Sequence, residues 1–170
     1  KRARFKQAWQ QGETLVAGIG QGYVTATPLQ LCTMAARLAG GRAVSPRIVY
    51  SLGAARQERP AVEDLGFSSA SLQAVRAGMI GAANEPGGTA YSWRITDPVL
   101  AMAGKTGTAQ VRVISAAEHL TGVRSNESLP WRLRDHGLYV AYAPLDRPRY
   151  ACAVIIEHGS VAAHTQVQVA

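Results

Sequence analysis

Apolar residues recur every three to four positions in the first half of the chain and every second position in parts of the second half. The first helical stretch follows Thr27. Leu31, Met34, Ala35 and Leu38 stand at i, i+3, i+4 and i+7, which puts one apolar stripe on a helix. Thr27 is an N-cap residue, and Pro28 takes the first helical position, where its missing N–H costs no hydrogen bond. Gln30, three residues after the cap, completes a capping box. Gly40-Gly41 supplies the stop. A second helix is predicted from about Ser69 to Ala83, with Leu72, Val75, Met79 and Ala82 on one face. Gly78 and Gly81 inside it cost about 1 kcal/mol each relative to alanine, which points to close packing against another element. Pro86-Gly87-Gly88 breaks the chain.

Period two governs the rest. Ile48-Val49-Tyr50 after Pro46 reads as a short strand, and residues 53–66 as a polar, irregular connection. Val99 to Val113 is extended in character, with small residues at its centre. Leu138 to Ala143 alternates, and so does Tyr150 to Glu157. The turn-rich Pro144-Leu145-Asp146-Arg147-Pro148 joins these two as a β-hairpin. Residues 1–22 are polar and then Gly-rich, with no element assigned. Residues 114–130 read as a mobile loop, with Trp131, Arg132 and Arg134 either folding it back or marking a partner surface. Helices followed by antiparallel strands predict an α+β fold.

Composition narrows the class. Of 170 residues, 47% are hydrophobic and only 17% charged, so a core is available and an intrinsically disordered chain is excluded. Two cysteines exclude a disulfide-dense scaffold and a Cys-rich zinc site; Cys32 on the helix stripe and Cys152 in a strand are expected as buried free thiols. His119, His136, His158 and His164 lack metal-ligand spacing, and His136 beside Asp135 is expected in a structural hydrogen bond. No apolar run reaches the ~18–20 residues that span a bilayer. The opening Lys1-Arg2-Ala3-Arg4-Phe5-Lys6 is not a secretory signal. The net charge is +7, but beyond those six residues the arginines are scattered and the 11 aromatic residues do not alternate with them. That argues against nucleic-acid binding and leaves a weak attraction to anionic polymers or surfaces.

The segment Gly104-Lys105-Thr106-Gly107-Thr108 carries the candidate chemistry. As a phosphate-binding loop it fails, because position 99 is Val rather than Gly and the residues after Lys105 look like a strand rather than a helix start. Gly18-x-Gly20 fails as a dinucleotide fingerprint, since position 23 is Tyr and no strand precedes it. The other reading is the K-T-G element of serine acyl-transferases. Lys105 on a strand supplies positive charge beside a nucleophile and a carboxylate-bearing substrate. The hydroxyls of Thr106 and Thr108 can bind that carboxylate. Gly107 lets a substrate backbone lie against the strand as an added strand would. The Thr108 N–H can form half of an oxyanion hole.

Further segments appear in a fixed order around this one: Gly18-Ile19-Gly20-Gln21-Gly22-Tyr23, Thr25-Ala26-Thr27-Pro28-Leu29-Gln30, Gly87-Gly88-Thr89-Ala90, and then Ala103 through Val111. Together they resemble the second half of the transpeptidase domain of class B penicillin-binding proteins. Leu133-Arg134-Asp135-His136 followed by Tyr142-Ala143-Pro144 resembles the elongation-type branch, penicillin-binding protein 2. The resemblance covers roughly residues 5–160. It implies the penicillin-binding/serine β-lactamase-like fold, an antiparallel sheet flanked by helices, with the Lys105 strand bordering the cleft. It also implies peptidoglycan cross-linking by a serine enzyme without metal or cofactor. Its substrate would be a stem peptide ending in D-alanyl-D-alanine, its inhibitors β-lactams, its partners the membrane proteins of the elongation complex, and its place the periplasmic face of the bacterial inner membrane.

The chain departs from the family pattern. Its lysines are Lys1, Lys6 and Lys105, and position 3 is Ala and position 102 Met, so it holds no S-x-x-K. Asn84 and Asn126 are preceded two places back by Ala82 and Arg124, so it holds no S-x-N. Residues 1–170 are therefore expected to be the C-terminal portion of one transpeptidase domain, inactive alone, with one flank of the Lys105 strand open. The alternative is a non-catalytic binding module with the partner surfaces of the same fold. Gln166-Val167-Gln168-Val169 alternates where the family has a long C-terminal helix, which puts that helix in doubt.

Overall fold

A computed structural model describes residues 8–58 and 60–159. Helix α1, Gln11–Gly18, lies in the stretch to which the sequence assigned no element. The Glu13 carboxylate accepts from the Gln10 N–H at 2.6 Å and closes its N-terminus. Helix α2, Pro28–Gly40, begins with the expected reciprocal cap. Thr27 Oγ1 accepts from the Gln30 N–H at 3.2 Å, and Gln30 Oε1 accepts from the Thr27 N–H at 2.8 Å. Gly41, at φ 69°, ends it in the left-handed conformation. The buried face of α2 is set by Ala35 and Ala39, and Met34 is left exposed, so the predicted stripe is rotated. Small residues win because α2 lies close to the sheet: Cys32 Sγ donates to the Ala151 carbonyl of the last strand at 3.2 Å.

The polar connection contains a small hairpin of two-residue strands, β1 (Ser51–Leu52) and β2 (Ala55–Arg56). The expected strand at Ile48-Val49-Tyr50 is absent: these residues precede β1, Ile48 is 99% exposed, and the ladder stops at the Gln57 N–H, which donates to Tyr50 O at 3.0 Å. Helix α3, Ser69–Asn84, is capped by Ser68 Oγ, which accepts from the Ser71 N–H at 3.1 Å. Met79 and Ala83 are its buried residues, and Val75 faces outward. Gly78 does not mark a close approach, since a Cβ there would meet nothing within 4 Å; at Gly81 one would meet only the Glu85 side chain. Helices α2 and α3 are tied together by Arg76 Nε, which donates to the Leu38 carbonyl at 2.7 Å.

The main sheet is antiparallel, in the order β3 (Ala103–Ala109), β4 (His136–Ala143), β5 (Tyr150–Ile156). Lys105 lies opposite Val140, and Tyr139 opposite Val154. The extended segment expected from Val99 to Val113 is thus a seven-residue strand at its centre. β4 and β5 form the predicted hairpin. Alternation along β4 divides the core. On one face Tyr142 and Ala103 meet Ala39 of α2 and Met79 of α3. On the other, Tyr139 and Ala141 pack with Met102 and Ala90. Tyr139 is fully buried, its ring lies across Gly104, and burial pushes its phenol up to about 12.

Residues 110–135 are more ordered than a mobile loop. Helix α4, Ala116–Thr121, is capped by Ser115 Oγ. Glu118 accepts from Arg112 at 2.7 Å and Arg124 at 3.5 Å, and the Arg112 hydrogen bond, followed by that of the Ser115 backbone, holds its carboxyl at about 2. Asp135 accepts from the Val111 N–H at 3.1 Å and from Asn126 Nδ2 at 3.3 Å, pinning both ends of the segment together. The C-terminal helix question concerns residues outside the described ones.

Leu15, Ile19, Met34, Val113 and Leu120 are among the large apolar side chains left exposed, and each one left unburied forfeits about 1.5–3 kcal/mol. Residues 1–170 expressed alone are therefore expected to bind a hydrophobic dye and to unfold over a broad range in a thermal scan; a sharp transition of a monomer without prior dye binding would contradict this. Gly104→Ala in a stable longer protein carrying this segment is expected to lower stability by about 1–3 kcal/mol, because the added Cβ enters the space of the Tyr139 ring and meets the Val140 carbonyl at 2.9 Å. Denaturant titration beside the parent protein measures it.

Candidate functional site at the free edge of strand β3

β3 is an edge strand among the described residues, with β4 on one side only. The side away from β4 carries the candidate chemistry. Three side chains reach backbone carbonyls there: Asn84 Nδ2 donates to Met102 O at 2.9 Å, Lys105 Nζ to Thr106 O at 2.9 Å, and Gln21 Nε2 to Thr108 O at 2.9 Å. In extended backbone the N–H and C=O of one residue point the same way and successive residues point opposite ways. Thr106 and Thr108 therefore present both peptide groups to the open side, while Lys105 and Gly107 spend theirs on β4.

Each residue of the Lys105–Thr108 segment takes a distinct place on this edge. Lys105 is exposed, bonded only to Thr106 through its carbonyl and, at 3.4 Å, its hydroxyl, and pairs with no carboxylate among the described residues. Gly107 and Thr108 are exposed and Thr106 is half-buried. A Cβ at Gly107 would meet only the Leu138 side chain, at an ordinary 3.6 Å, so internal packing does not demand glycine there. The whole segment is strand, with no helix N-terminus to cradle a phosphate, which agrees with the failure of the phosphate-loop pattern.

Two residues outside the motif complete the edge, and the sequence singled out neither as a site residue. Gln21 is delivered by the Gly-rich turn after α1, where Gly20 and Gly22 adopt φ 77° and 76°, a region L side chains rarely enter. The turn is closed by the Gln21 N–H donating to Val16 O at 3.1 Å. Thr89 accepts from the Thr106 hydroxyl at 2.9 Å. Both lie in segments quoted for the family resemblance, but their contacts cross 87 and 17 residues of chain, beyond any spacing rule.

His136 and His158 take structural parts. The His158 N–H donates to His136 Nδ1 at 2.9 Å, His158 Nδ1 bonds the Arg134 carbonyl at 2.9 Å, and the Trp131 ring rests 4.4 Å from that of His158. Trp131 thus folds back on the end of the β4–β5 hairpin. No group of three His, Cys, Asp or Glu residues with the geometry to hold a metal occurs among the described residues. Cys32 and Cys152 are free and half-buried, and burial, with Cys32 close by, raises the Cys152 thiol.

Comparison with known proteins agrees with this geometry. The chain is 38% identical over 165 residues to the peptidoglycan D,D-transpeptidase MrdA of Escherichia coli K12, an alignment covering 94% of this chain and 25% of the relative. The chain thus spans about a quarter of the length of the curated relatives it matches. Among solved structures, PBP2 of Helicobacter pylori in its complex with MreC superposes with a TM-score of 0.76 at 30% identity, covering 99% of this chain and 28% of that one. PBP2 of Pseudomonas aeruginosa in complex with WCK 5153 superposes with a TM-score of 0.73 at 32% identity, covering 99% and 32%. The sequence profile of the penicillin-binding protein transpeptidase domain matches residues 4–170. On that profile, which covers nearly the whole chain, and on those identities, the chain belongs to the penicillin-binding protein transpeptidase family and is homologous to PBP2.

Proposed function

We propose that residues 1–170 are the C-terminal portion of the transpeptidase domain of a peptidoglycan D,D-transpeptidase and form one wall of its acyl-transfer cleft. The observation that carries the reading is the orientation of Thr108, whose N–H and C=O both face the open side of β3 beside an exposed, unpaired Lys105. An extended peptide laid on that edge gains main-chain hydrogen bonds as an added strand does. Gly107, which internal packing does not require, leaves room for it.

In the proposed reaction a serine outside this chain attacks the penultimate D-alanine carbonyl of a stem peptide. Electrons move onto the carbonyl oxygen, and the Thr108 N–H donates to it; such a donor is typically worth a factor of about 10²–10³ in rate. The tetrahedral species collapses, the peptide C–N bond breaks, and the terminal D-alanine leaves with a proton on its nitrogen. An amine of a neighbouring stem then attacks the ester carbonyl, forming the cross-link and releasing the serine. The hydroxyls of Thr106 and Thr108 face the terminal carboxylate, and the Lys105 ammonium supplies the fixed charge that draws it in and favours the ionised nucleophile. β-Lactams enter as substrate mimics that stop at the acyl-enzyme. The MreC complex of the H. pylori relative supports membrane proteins of the elongation complex as partners, and a substrate found only outside the inner membrane supports the periplasmic face as the place. No helix among the described residues is long and apolar enough to cross a membrane.

Lys105→Ala in the full-length protein is expected to slow acylation by a fluorescent penicillin by one to a few orders of magnitude, with the melting temperature little changed, because the side chain is exposed and bonds only Thr106 among the described residues. Unchanged acylation kinetics would remove Lys105 from the reaction. Residues 1–170 alone are expected to form no covalent adduct with the same reagent, since no serine here stands in S-x-x-K; a stoichiometric adduct, read by mass spectrometry, would overturn the assignment of the nucleophile to another part of the protein.

A further inference from the structure

Thr89 sits on a turn held by the backbone bonds and packing of its neighbours. The chain leaves α3 through Glu85–Gly88, and at Gly88 it passes so near the helix end that a Cβ would meet Ala82 O at 2.5 Å and Gly81 O at 2.6 Å. The Gly88 N–H donates to Glu85 O at 2.9 Å, the Ala90 N–H to Ala82 O at 3.0 Å, and the Tyr91 N–H to Gly88 O at 3.1 Å. Ala90 is 1% exposed and packs with Tyr139 and Met102. Thr89 lies between these two clamped neighbours, yet it is itself exposed. The packing of this turn uses its backbone and leaves the hydroxyl free to reach Thr106 of β3.

That hydroxyl accepts from the Thr106 hydroxyl at 2.9 Å. A threonine hydroxyl has one proton and two lone pairs. Thr106 Oγ1 receives Lys105 Nζ at 3.4 Å and gives its proton to Thr89 Oγ1. The hydroxyl proton not used within this row is that of Thr89. Hydrogen bonds in a row polarise one another, so the terminal donor is strengthened by the ammonium at the other end.

We propose that Thr89 is a positioning residue for carboxylate recognition. It fixes the Thr106 hydroxyl and, with it, presents to the carboxylate of the substrate a donor polarised by Lys105. The inference rests on the acyl-transfer reading above and adds to it a residue from outside the K-T-G segment. An anion seated here meets Lys105, Thr106 and Thr89 from two separately built segments, so specificity for a free carboxylate depends on the distance between the Gly88–Ala90 turn and β3.

The test uses the full-length protein and two forms of one β-lactam, the free carboxylate and its methyl ester. Thr89→Val keeps the shape of the side chain and removes the hydroxyl. It is expected to lower the second-order acylation rate constant for the free acid by about tenfold to a hundredfold, the range for a hydrogen bond to a charged group, and to leave the rate for the ester within twofold. Thr89→Ser is expected to restore the acid rate. Equal loss for acid and ester, with or without a lowered melting temperature, would assign Thr89 a purely structural part and overturn the proposal, as would an unchanged acid rate in the Val variant or no recovery in the Ser variant. A wild-type protein that neither compound acylates would instead refute the acyl-transfer reading, and with it this inference.

Discussion

The pairing of Lys105 with Val140 across β3 and β4 is the constraint on which the site depends. A strand has two edges and alternates between them, so the register decides which peptide groups remain for a ligand. With Lys105 and Gly107 bonded inward to β4, the N–H and C=O of Thr106 and Thr108 are left on the open side. A slip by one residue would reverse this and would also turn Ala103 and Tyr142 away from α2 and α3. The register is held from both faces: Tyr142 and Ala103 are buried under the helices, and Tyr139 is buried on the other face with its ring across Gly104. Packing the core and aiming the peptide groups of Thr108 are one event.

The open edge is also a liability, since unpaired strand edges recruit other strands. Here it is partly occupied from within. Asn84 at the end of α3 takes Met102 O, and Gln21 takes Thr108 O. These are single side-chain bonds, replaceable by a ligand backbone at little cost, because the exchange trades one hydrogen bond for another. The edge between them, from Lys105 to Gly107, carries no such cover from a distant segment except at the Thr106 hydroxyl. An edge closed at its ends and open in the middle suits a short extended peptide better than an indefinite strand.

Away from this edge several polar groups satisfy one another. Glu118 with Arg112 and Arg124, and Asp135 with Val111 and Asn126, tie the 110–135 segment to itself, and His158 with His136 and Arg134 ties its end to the sheet. Lys105 satisfies itself only through its own neighbour in sequence. What distinguishes this edge is that the exposed Lys105 stands on a strand whose next residues turn their peptide groups outward.

Much of this was determined by the sequence alone. The capping box at Thr27, the stop at Gly40-Gly41, the second helix after Ser68 and the last hairpin are local chemistry, decided by residues within a few positions of one another. Gly104–Thr108 was legible as a strand because small and β-branched residues with no helical period leave few other choices, and the family resemblance rested on the order of such short segments. Tertiary structure decided what depends on neighbours distant in sequence. The buried faces of α2 and α3 departed from the apolar stripe, with Ala35, Ala39, Met79 and Ala83 inside and Met34 and Val75 outside, because the line along which each helix meets the sheet decides which positions are covered. Ile48-Val49-Tyr50 has strand composition but forms no strand, Tyr50 O merely accepting from the Gln57 N–H where the hairpin ends, whereas Ser51–Leu52 and Ala55–Arg56 pair. Glycines that pattern marked, Gly78 and Gly81, do not mark tight packing, and those that do, Gly88 and Gly104, are set by a helix end and a tyrosine ring elsewhere in the chain. Gln21 and Thr89 reach the site only after folding, since a hydrogen bond needs two atoms within about 3 Å and sequence order carries no distance between segments that a fold brings together.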